Sequence, residues 1–381
     1  MSIQGPVMVT GATGFIGGFL AAELLRRGIR VYAPIRPGPG RSVRERAEGL
    51  LRYFGLPAES PLRPFAGDVE LPGLGMEPEI ADRIEREVGA VLHCAADTSF
   101  AARRADEVVR VNLGGTRNVF AAAGDLDRFW HMSTAYSVGA RPGVHREELV
   151  RPKAFNNRYE ESKSAAELEL SELCEASGTR LTVFRPSVVY GDSRSGRCLS
   201  FRALYHPVRT LLFLRDTALR DIRHHDGSRA EALGVAVNGE QKVRMPIRFP
   251  AGGAVNLIPV DHLVRAVLAL AEADARGVFH LVSGNPVTVC KLLEYVEECF
   301  GIGGIGVSKE IDGFDGPLQK LVNGYMKVYY PYFCDRREFD DSRARSVLDP
   351  AGISCPPLDL PTFRHCMNYA IRHGWGADLA F

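Results

Sequence analysis

A tyrosine and a lysine stand four positions apart in the string Tyr-Glu-Glu-Ser-Lys, as Tyr159 and Lys163. Within a helix this spacing places both side chains on one face. The lysine charge can lower the pKa of the tyrosine, which can then give its proton to a carbonyl oxygen as hydride arrives at the carbon. Thr134 ends a predicted strand, where its hydroxyl can hold that oxygen in line. The alternative is a surface Tyr–Lys pair without a catalytic role.

A glycine-rich turn follows a short apolar strand near the N-terminus. The sequence predicts a strand from Val7 to Val9, a tight turn from Thr10 to Gly14, and an amphipathic helix from Phe15 to Arg27. In such a turn the backbone can approach a pyrophosphate closely, and the helix N-terminus offers unpaired N–H groups to it. The GxxGxxG spacing therefore predicts a dinucleotide site made by Gly11, Thr13, Gly14, Phe15, Ile16 and Gly17.

The residue after the second predicted strand bears on which dinucleotide is bound. An NAD site usually carries an acid here, which accepts from the ribose 2′-hydroxyl. This chain has Arg36 instead, and no acid follows before Glu45. A guanidinium can donate two hydrogen bonds to a 2′-phosphate. The sequence therefore predicts NADP(H), bound by Arg36. Lys163 is then expected to hold the nicotinamide ribose. The alternative is a solvated basic loop.

Later strand ends supply further predicted contacts. Asp68 follows strand three and can accept from the adenine amino group, with Val69 supplying its backbone. Ala95 lies in a run of small residues after strand four, which lets the backbone approach the nicotinamide half. Asn112 is a polar residue in an otherwise apolar helix face from Ala105 to Ala123, so we expect its side chain to have a partner there. The alternative for Asn112 is exposure to solvent.

Alternating strands and helices predict an α/β fold, a Rossmann-type doubly wound parallel sheet with a smaller C-terminal α/β substrate-binding region. We expect an NADP-binding domain over residues 1–191 and the substrate-binding region over 192–381, with elements near 254–282 returning to the sheet. A mostly apolar segment from Phe201 to Leu214, broken at Pro207, could be a core helix, a lid, a dimer face or a lipid-contacting helix. The predicted strands are 7–9, 29–35, 62–66, 90–93, 128–133, 180–184, 254–260 and 277–282, and the other predicted helices are 77–88, 156–177, 261–273 and 288–300.

Composition narrows the class of protein. Of 381 residues, 45% are hydrophobic and 24% are charged, as in ordinary globular proteins. The formal net charge is +1, which argues against nucleic acid as a main partner. No 18-residue apolar run predicts a membrane span, and the N-terminus enters strand one without a signal peptide, so we expect a cytoplasmic enzyme. The eight cysteines form no CxxC pair, and His224-His225-Asp226 has no third ligand at metal spacing, so no metal is expected.

Taken together, these motifs resemble the extended short-chain dehydrogenase/reductases. The resemblance implies that Thr134, Tyr159 and Lys163 form a catalytic triad and that Asn112 supports a proton relay. It also places Pro186 and Val188 beside the cofactor. The matching strings are Thr10-Gly11-Ala12-Thr13-Gly14-Phe15-Ile16-Gly17, Asp68-Val69, Thr134, Tyr159-xxx-Lys163 and Arg185-Pro186-Ser187.

Within that family, several strings look most like the fatty acyl-CoA reductase and thioester reductase branch. Members of the branch deliver hydride from NADPH to a thioester carbonyl on coenzyme A or a carrier protein, and they release an aldehyde or an alcohol. The chain has no adenylation or carrier domain, so the resemblance implies a substrate bound in trans, with an acyl-carrier protein as a possible partner and a homodimer left open. The strings are Met132-Ser133-Thr134-Ala135-Tyr136, residues 157–167, and Asn256-Leu257-Ile258-Pro259-Val260-Asp261.

Three other functions remain open at the level of sequence. A nucleotide-sugar epimerase shares the fold, but Arg36 argues against the NAD that epimerases retain. Sugar dehydratases place an Asp-Glu pair after the threonine, where this chain has Ala135-Tyr136. A ketone or aldehyde reductase is barely separated from a thioester reductase by sequence. A non-catalytic NADP-binding protein would be expected to have lost Tyr159 or Lys163, and both are present.

Overall fold

The computed structural model describes residues 3, 5–38, 40–238, 242–250, 252–308, 315–377 and 379; Pro39 and the outermost ends of the two predicted domains lie outside them. The strands are β1 (Val7–Thr10), β2 (Val31–Ile35), β3 (Leu62–Ala66), β4 (Ala90–His93), β5 (Arg128–Met132), β6 (Gly143–His145), β7 (Arg180–Pro186), β8 (Val188–Tyr190), β9 (Ala236–Val237), β10 (Val243–Arg244), β11 (Arg248–Pro250), β12 (Ala254–Val255), β13 (Leu257–Pro259), β14 (Gly277–Leu281), β15 (Val287–Thr288), β16 (Ile302–Gly303), β17 (Gly306–Ser308) and β18 (Arg337–Phe339).

The helices lie on both faces of the main sheet and in the C-terminal region. They are α1 (Phe15–Arg26), α2 (Val43–Phe54), α3 (Pro78–Glu87), α4 (Ala105–Val109), α5 (Gly115–Ala122), α6 (Arg158–Ser177), α7 (Tyr205–His224), α8 (Ser228–Ala232), α9 (Val260–Glu272), α10 (Val289–Phe300), α11 (Pro317–Met326), α12 (Tyr330–Phe333), α13 (Ser342–Leu348) and α14 (Leu360–Arg372). A π-helical turn, Arg110–Gly114, joins α4 to α5. In the part of the chain that the structure describes, no helix has the length and hydropathy to cross a membrane.

Seven parallel strands form the central sheet in the order β14-β7-β5-β4-β1-β2-β3. Strands such as β1 and β4 are buried throughout, as expected where helices cover both faces of a parallel sheet. The strand order reverses between β1 and β4, and ligands of doubly wound sheets bind in the crevice at such a switch point. The predicted Rossmann-type fold is confirmed.

Three apolar cores hold these layers together. One packs α1, α2, α9 and α13 against one sheet face, and another packs α3, α5 and α6 against the other face. A third core, built from α7, α10, α11, α14 and the short strands β8, β10, β11, β12 and β13, forms the C-terminal region. β13 pairs with β8, and β14 pairs with β7, so the later chain is joined to the main sheet at its edge.

Three local predictions differ from the structure. Helix α2 was not predicted, although Ser42 and Glu45 form a capping box at its start. The break predicted at Pro207 is wrong: α7 runs unbroken, because a proline in a helix's first turn removes no internal hydrogen bond. Asp261 is not the N-cap predicted for α9, since Pro259 holds that position and the Asp261 carboxylate accepts from the backbone and hydroxyl of Ser193, each at 2.9 Å.

Candidate active site

The predicted catalytic side chains meet at the carboxyl edge of the sheet. Tyr159 and Lys163 lie four residues apart on α6, whose first turn is capped by the Asn157 side chain accepting from the backbone of Glu160 at 3.0 Å. Thr134 stands two residues after the end of β5. Tyr159 and Thr134 line a cavity of about 900 Å³, and Lys163 is buried behind its wall with 1% of its surface exposed. The geometry brings an acid, a cation and a hydroxyl to one place.

Burial moves the pKa values of the tyrosine and the lysine in opposite directions. Loss of solvent raises the pKa of Tyr159 to about 12; the Thr134 hydroxyl opposes this shift and the Glu160 charge adds to it. Loss of solvent lowers the pKa of Lys163 to about 8, and the Glu167 carboxylate counteracts that effect. Lys163 is therefore charged at neutral pH but within reach of titration, while Tyr159 stays protonated there. The predicted lowering of the Tyr159 pKa by Lys163 is wrong, because burial dominates the shift.

Asn112 lies in the π-helical turn and is fully buried. Its amide accepts from the backbone N–H of Asp97 at 2.8 Å and donates to the backbone carbonyl of Asp97 at 3.0 Å and to the Ser162 hydroxyl at 2.9 Å. The Ser162 hydroxyl in turn donates to the carbonyl of Tyr159 at 2.9 Å. Asn112 thus has the buried partner that was predicted, and it ties the loop after β4 to the helix that carries Tyr159.

The glycine loop packs too closely against neighbouring backbone to admit side chains at Gly11 and Gly17. A Cβ on Gly11, whose φ is +69°, would lie 2.8 Å from the backbone nitrogen of Ala95, and a Cβ on Gly17 would lie 2.3 Å from the Gly11 carbonyl oxygen. Gly14 is the N-cap residue of α1, and it has no side chain that could accept from the free N–H groups of the helix's first turn. Thr13, Gly14, Phe15, Ile16 and Gly17 line the cavity beside these groups. The residues present therefore fit a pyrophosphate.

A cluster of arginines lies beside this loop. Arg46 donates to the Thr13 hydroxyl at 3.0 Å and to the carbonyl oxygen of Arg36 at 2.5 Å. Burial lowers the pKa of Arg46, and the neighbouring charges of Arg36 and Arg41 lower it further. The Arg36 guanidinium is 63% exposed and lies 3.7 Å from Glu70 and 4.0 Å from Asp68. The geometry therefore adds Arg46 to the predicted Arg36.

Arg46 was not predicted as a ligand, because α2 was not foreseen. The Ser42–Glu45 capping box in the sequence is the signal that could have found the helix. Arg44, on the same first turn, is 87% exposed and pairs with Glu48 at 2.8 Å. Because α2 begins at Val43, Arg46 faces the cavity and Arg44 faces solvent.

The other predicted cofactor contacts lie in or near the same cavity. Val69, Ala95, Pro186 and Val188 line it, as Arg36 does, whereas Asp68 lies outside its lining. The Asp68 carboxylate accepts from the backbone of Glu70 at 3.0 Å. The backbone N–H of Ala95 points to the Thr10 hydroxyl at 3.2 Å.

Aromatic side chains from the C-terminal region complete the wall over Tyr159. Phe100 lies 6.0 Å from the Tyr159 ring and stacks on Tyr332 at 5.4 Å, measured between ring centres. The Tyr332 hydroxyl donates to the buried Glu160 carboxylate at 2.7 Å and accepts from the Asn157 amide at 2.7 Å. Tyr332, 172 positions after Glu160, therefore helps to fix the N-terminus of α6.

The cavity continues from Tyr159 into an apolar pouch. Leu204, Pro207, Val208 and Leu211 form one stripe along α7, and Val289, Leu292, Leu293 and Val296 form a second stripe along α10. Both have the i, i+3, i+4, i+7 spacing of a core-facing helix stripe, yet here they line open space. The remaining walls of the pouch are Phe249, Val255, Leu257, Phe333 and Phe363. Arg202 also lines the cavity, and its guanidinium donates to the Thr98 hydroxyl at 2.8 Å.

Comparisons with known proteins agree with this geometry. A family model described as male sterility protein, one of the NAD-binding domain models, matches residues 9–267. Fatty acyl-CoA reductase 1 of Mus musculus is 31% identical over 160 residues, which are 38% of this chain and 30% of the relative. The chain spans between 7% and 36% of the length of the curated relatives that it matches.

Solved structures share the fold at lower identity. The terminal R domain from the myxalamid PKS-NRPS biosynthetic pathway matches with a TM-score of 0.75 and 21% identity, over 98% of this chain and 93% of that domain. UDP-glucuronic acid 4-epimerase from Bacillus cereus, in complex with NAD, matches with a TM-score of 0.65 and 16% identity, over 98% of this chain and 99% of the epimerase.

Fold and site together define a protein with a Rossmann-type sheet and a glycine loop that fits a dinucleotide. More specifically, the chain belongs to the male sterility protein family, whose model covers more than half of it. The predicted resemblance to the thioester reductase and fatty acyl-CoA reductase branch is confirmed.

The charge of Lys163 sets a pH limit on cofactor binding. Since its pKa lies at about 8, we expect the affinity for reduced cofactor to fall about 5-fold as pH rises past that value, because a neutral amine holds ribose hydroxyls less well. Cofactor fluorescence between about pH 6 and about pH 10 measures the dissociation constant. Glu167→Gln removes a charge that favours protonated Lys163, so the cofactor affinity of this variant should begin to fall at lower pH.

The matched control for this experiment is Glu169→Gln on the same helix, whose carboxylate pairs with Arg117 at the surface. It should leave the pH midpoint unchanged. Thermal unfolding checks that each variant is folded. An affinity independent of pH through this range in the unaltered protein would contradict the assignment of Lys163.

Proposed function

We propose that the chain is an NADPH-dependent reductase of acyl thioesters with an apolar acyl group, presented on coenzyme A or an acyl-carrier protein. The observation that carries the proposal is one continuous cavity. It joins the glycine loop, the group of Thr134, Tyr159 and Lys163, and the apolar pouch. A nucleotide-sugar substrate is less well supported, since the pouch walls offer no charged group to a sugar or a phosphate.

The roles of the side chains follow from their positions. When bound, the cofactor supplies the hydride. Thr134 and Tyr159 hold the carbonyl oxygen by hydrogen bonds, and Tyr159 gives it a proton as negative charge develops there. The Lys163 charge stabilises the tyrosinate that remains. For a thioester, one hydride and one proton are consumed, the carbon–sulfur bond breaks, and aldehyde and thiol are released.

Specificity for NADPH over NADH is assigned to the arginine cluster. A 2′-phosphate on the ribose carries negative charge that Arg36 and Arg46 can pair with, beside the Thr13 hydroxyl. A ribose 2′-hydroxyl would instead need an acceptor. The acids near Arg36 are Asp68 and Glu70, and both already face its guanidinium. Burial and the nearby charges of Arg36 and Arg41 both disfavour the charge on Arg46. A bound phosphate would stabilise that charge.

The apolar pouch is assigned to the acyl group. A cavity lined by leucine, valine and phenylalanine side chains favours methylene chains, at about 0.8 kcal/mol for each methylene removed from water. The cavity lining includes Tyr329, Tyr332 and the buried Val296 and Phe363, and the whole cavity has a volume of about 900 Å³. A chain of limited length is therefore the expected occupant.

Replacing Tyr159 with phenylalanine tests the catalytic assignment. We expect turnover of a long-chain acyl-CoA to fall about 10²- to 10⁴-fold, because the proton donor is lost, with little change in NADPH affinity. Absorbance at 340 nm follows NADPH oxidation against acyl-CoA and the matching aldehyde, and product analysis follows epimerisation of a UDP-sugar, which consumes no NADPH. Near-normal thioester turnover by the variant, or turnover of the UDP-sugar alone by the unaltered enzyme, would refute the proposal.

Replacing Arg46 with alanine tests the cofactor assignment, with Arg44→Ala, two residues earlier in α2, as the matched control. We expect Arg46→Ala to weaken NADPH about 10- to 100-fold and NADH much less, since one charged hydrogen bond to phosphate is lost. Arg44→Ala should change neither affinity, because its guanidinium faces solvent. Equal losses for both cofactors in Arg46→Ala would defeat the 2′-phosphate role. Arg36→Ala is expected to act in the same direction.

Replacing Leu293 with phenylalanine tests the pouch. The larger ring should shift the preferred substrate to shorter acyl chains, with kcat/KM falling about 4-fold for each methylene displaced. Cys290→Phe is the control, because Cys290 is exposed on the same helix. A chain-length series of acyl thioesters measures the shift. An unchanged optimum in Leu293→Phe would place the acyl group elsewhere.

A further inference from the structure

A row of large apolar side chains lies on the surface of α11. Leu321 and Tyr325 on this helix, and Val328 in the 3₁₀ turn that follows it, are 39%, 48% and 46% exposed. Their i, i+4, i+7 spacing places them on one side of the helix, while the opposite side is buried in the C-terminal core. Exposed apolar side chains grouped in this way mark a docking surface.

Phe213 on α7 extends this row. Its side chain is 56% exposed, and it stands seven residues after His206, so the two share one face of the helix. The His206 ring lies 5.6 Å from the Tyr329 ring, measured between ring centres, so this face of α7 meets the chain that follows α11. The four exposed side chains, here called the apolar patch, are Phe213, Leu321, Tyr325 and Val328.

The apolar patch adjoins the mouth of the cavity. Val328 belongs to the cavity lining although nearly half of it is exposed, so the cavity reaches the surface at this residue. The next residue, Tyr329, lies 6.1 Å from Phe100, and Phe100 lies 6.0 Å from Tyr159, measured between ring centres. Two aromatic rings therefore separate the patch from the predicted catalytic tyrosine.

Positive charges flank the apolar patch. The sequence from 317 to 334 contains Lys320 and Lys327 but no aspartate or glutamate. Both lysines are exposed, and neither has an acidic partner among the residues that the structure describes. Arg209, between His206 and Phe213 on α7, is also exposed. The occupant that fits has an apolar interior and a negatively charged surface.

We propose that the apolar patch docks on the surface of an anionic lipid membrane, with Lys320 and Lys327 on the phosphate headgroups. Apolar side chains on one side of a helix with lysines beside them are the pattern of a segment that lies in the membrane interface, where tyrosine is also enriched. The docked orientation places the cavity mouth at the headgroups. If the pouch holds an acyl chain, as the proposed function requires, substrate or product passes between the bilayer and the pouch at Val328.

A second copy of the chain fits the patch less well. In a two-fold dimer the same surface meets itself. Lys320 and Lys327 of both copies would then come together, and residues 317–334 offer no acid to pair with them.

Vesicle co-sedimentation of the full chain tests the docking without cofactor or substrate. The vesicles are phosphatidylcholine alone and an equimolar mixture of phosphatidylcholine and phosphatidylglycerol. We expect the protein to bind the mixture. Replacing Leu321 and Tyr325 together with glutamine should raise the lipid concentration for half-binding at least about 10-fold, because two apolar side chains no longer leave water. Ile371→Gln on α14 is the matched control, since Ile371 is 43% exposed outside the patch, and it should change nothing.

Replacing Lys320 and Lys327 together with glutamine tests the charges separately. This variant should bind the mixed vesicles about 10- to 30-fold more weakly, because each lysine near an anionic surface contributes to the attraction. Its binding to phosphatidylcholine alone should equal that of the unaltered protein. Added salt should weaken binding to the mixed vesicles in the same direction. Thermal unfolding checks that each variant is folded.

Four outcomes would overturn the proposal. The unaltered protein might as a first outcome fail to bind the mixed vesicles, and as a second the Leu321 and Tyr325 variant binds them equally well. Conversion of a dimer to a monomer in that variant, measured by light scattering, would assign the patch to a second copy. A raised KM for a carrier-bound acyl substrate, with unchanged vesicle binding, would assign it to an acidic carrier protein. Absence of thioester turnover would refute the proposed function and leave the vesicle result standing.

Discussion

A buried ion pair holds the catalytic helix to the sheet. The Arg185 guanidinium on β7 and the Glu167 carboxylate on α6 lie 2.5 Å apart, with 0% and 2% of their side chains exposed. The carboxylate also accepts from the hydroxyls of Ser133 and Ser137, and the guanidinium donates to the Glu148 carbonyl at 3.1 Å. Buried charges are tolerated only when fully hydrogen-bonded, so the ends of β5 and β7 and the face of α6 must keep one arrangement. Thr134 and Lys163 are set by that arrangement.

Much of the fold could be predicted because its signals are local. β3 and β4 have the predicted bounds, and the helix predicted from 105 to 123 is present, interrupted by the π-helical turn around Asn112. That turn has no distinct sequence signal. Helix α2 was missed for a different reason: its apolar positions are separated by arginines and glutamates, and only the capping box marks its start.

In the site, too, the residues that could be predicted are those with a local sequence signal. Tyr159 and Lys163 could be found because four-residue spacing has one geometric meaning in a helix. The pouch could not be found, because its two stripes read as ordinary core helices and only the tertiary structure shows that space remains between them. Tyr332 and Arg46 reach the cavity from elements whose position depends on contacts distant in sequence.

The anchoring of Tyr332 on α6 has a consequence for how the protein is made. During synthesis the Rossmann strands leave the ribosome first, and domains generally begin to fold as they emerge. The carboxylate of Glu160 receives the Tyr332 hydroxyl and lies 3.7 Å from the Arg337 guanidinium, so both partners arrive about 170 residues after it. Until then the Glu160 carboxylate, next to Tyr159 in the chain, lacks these two partners. The nascent chain can therefore form its glycine loop about 170 residues before the surroundings of Tyr159 are complete.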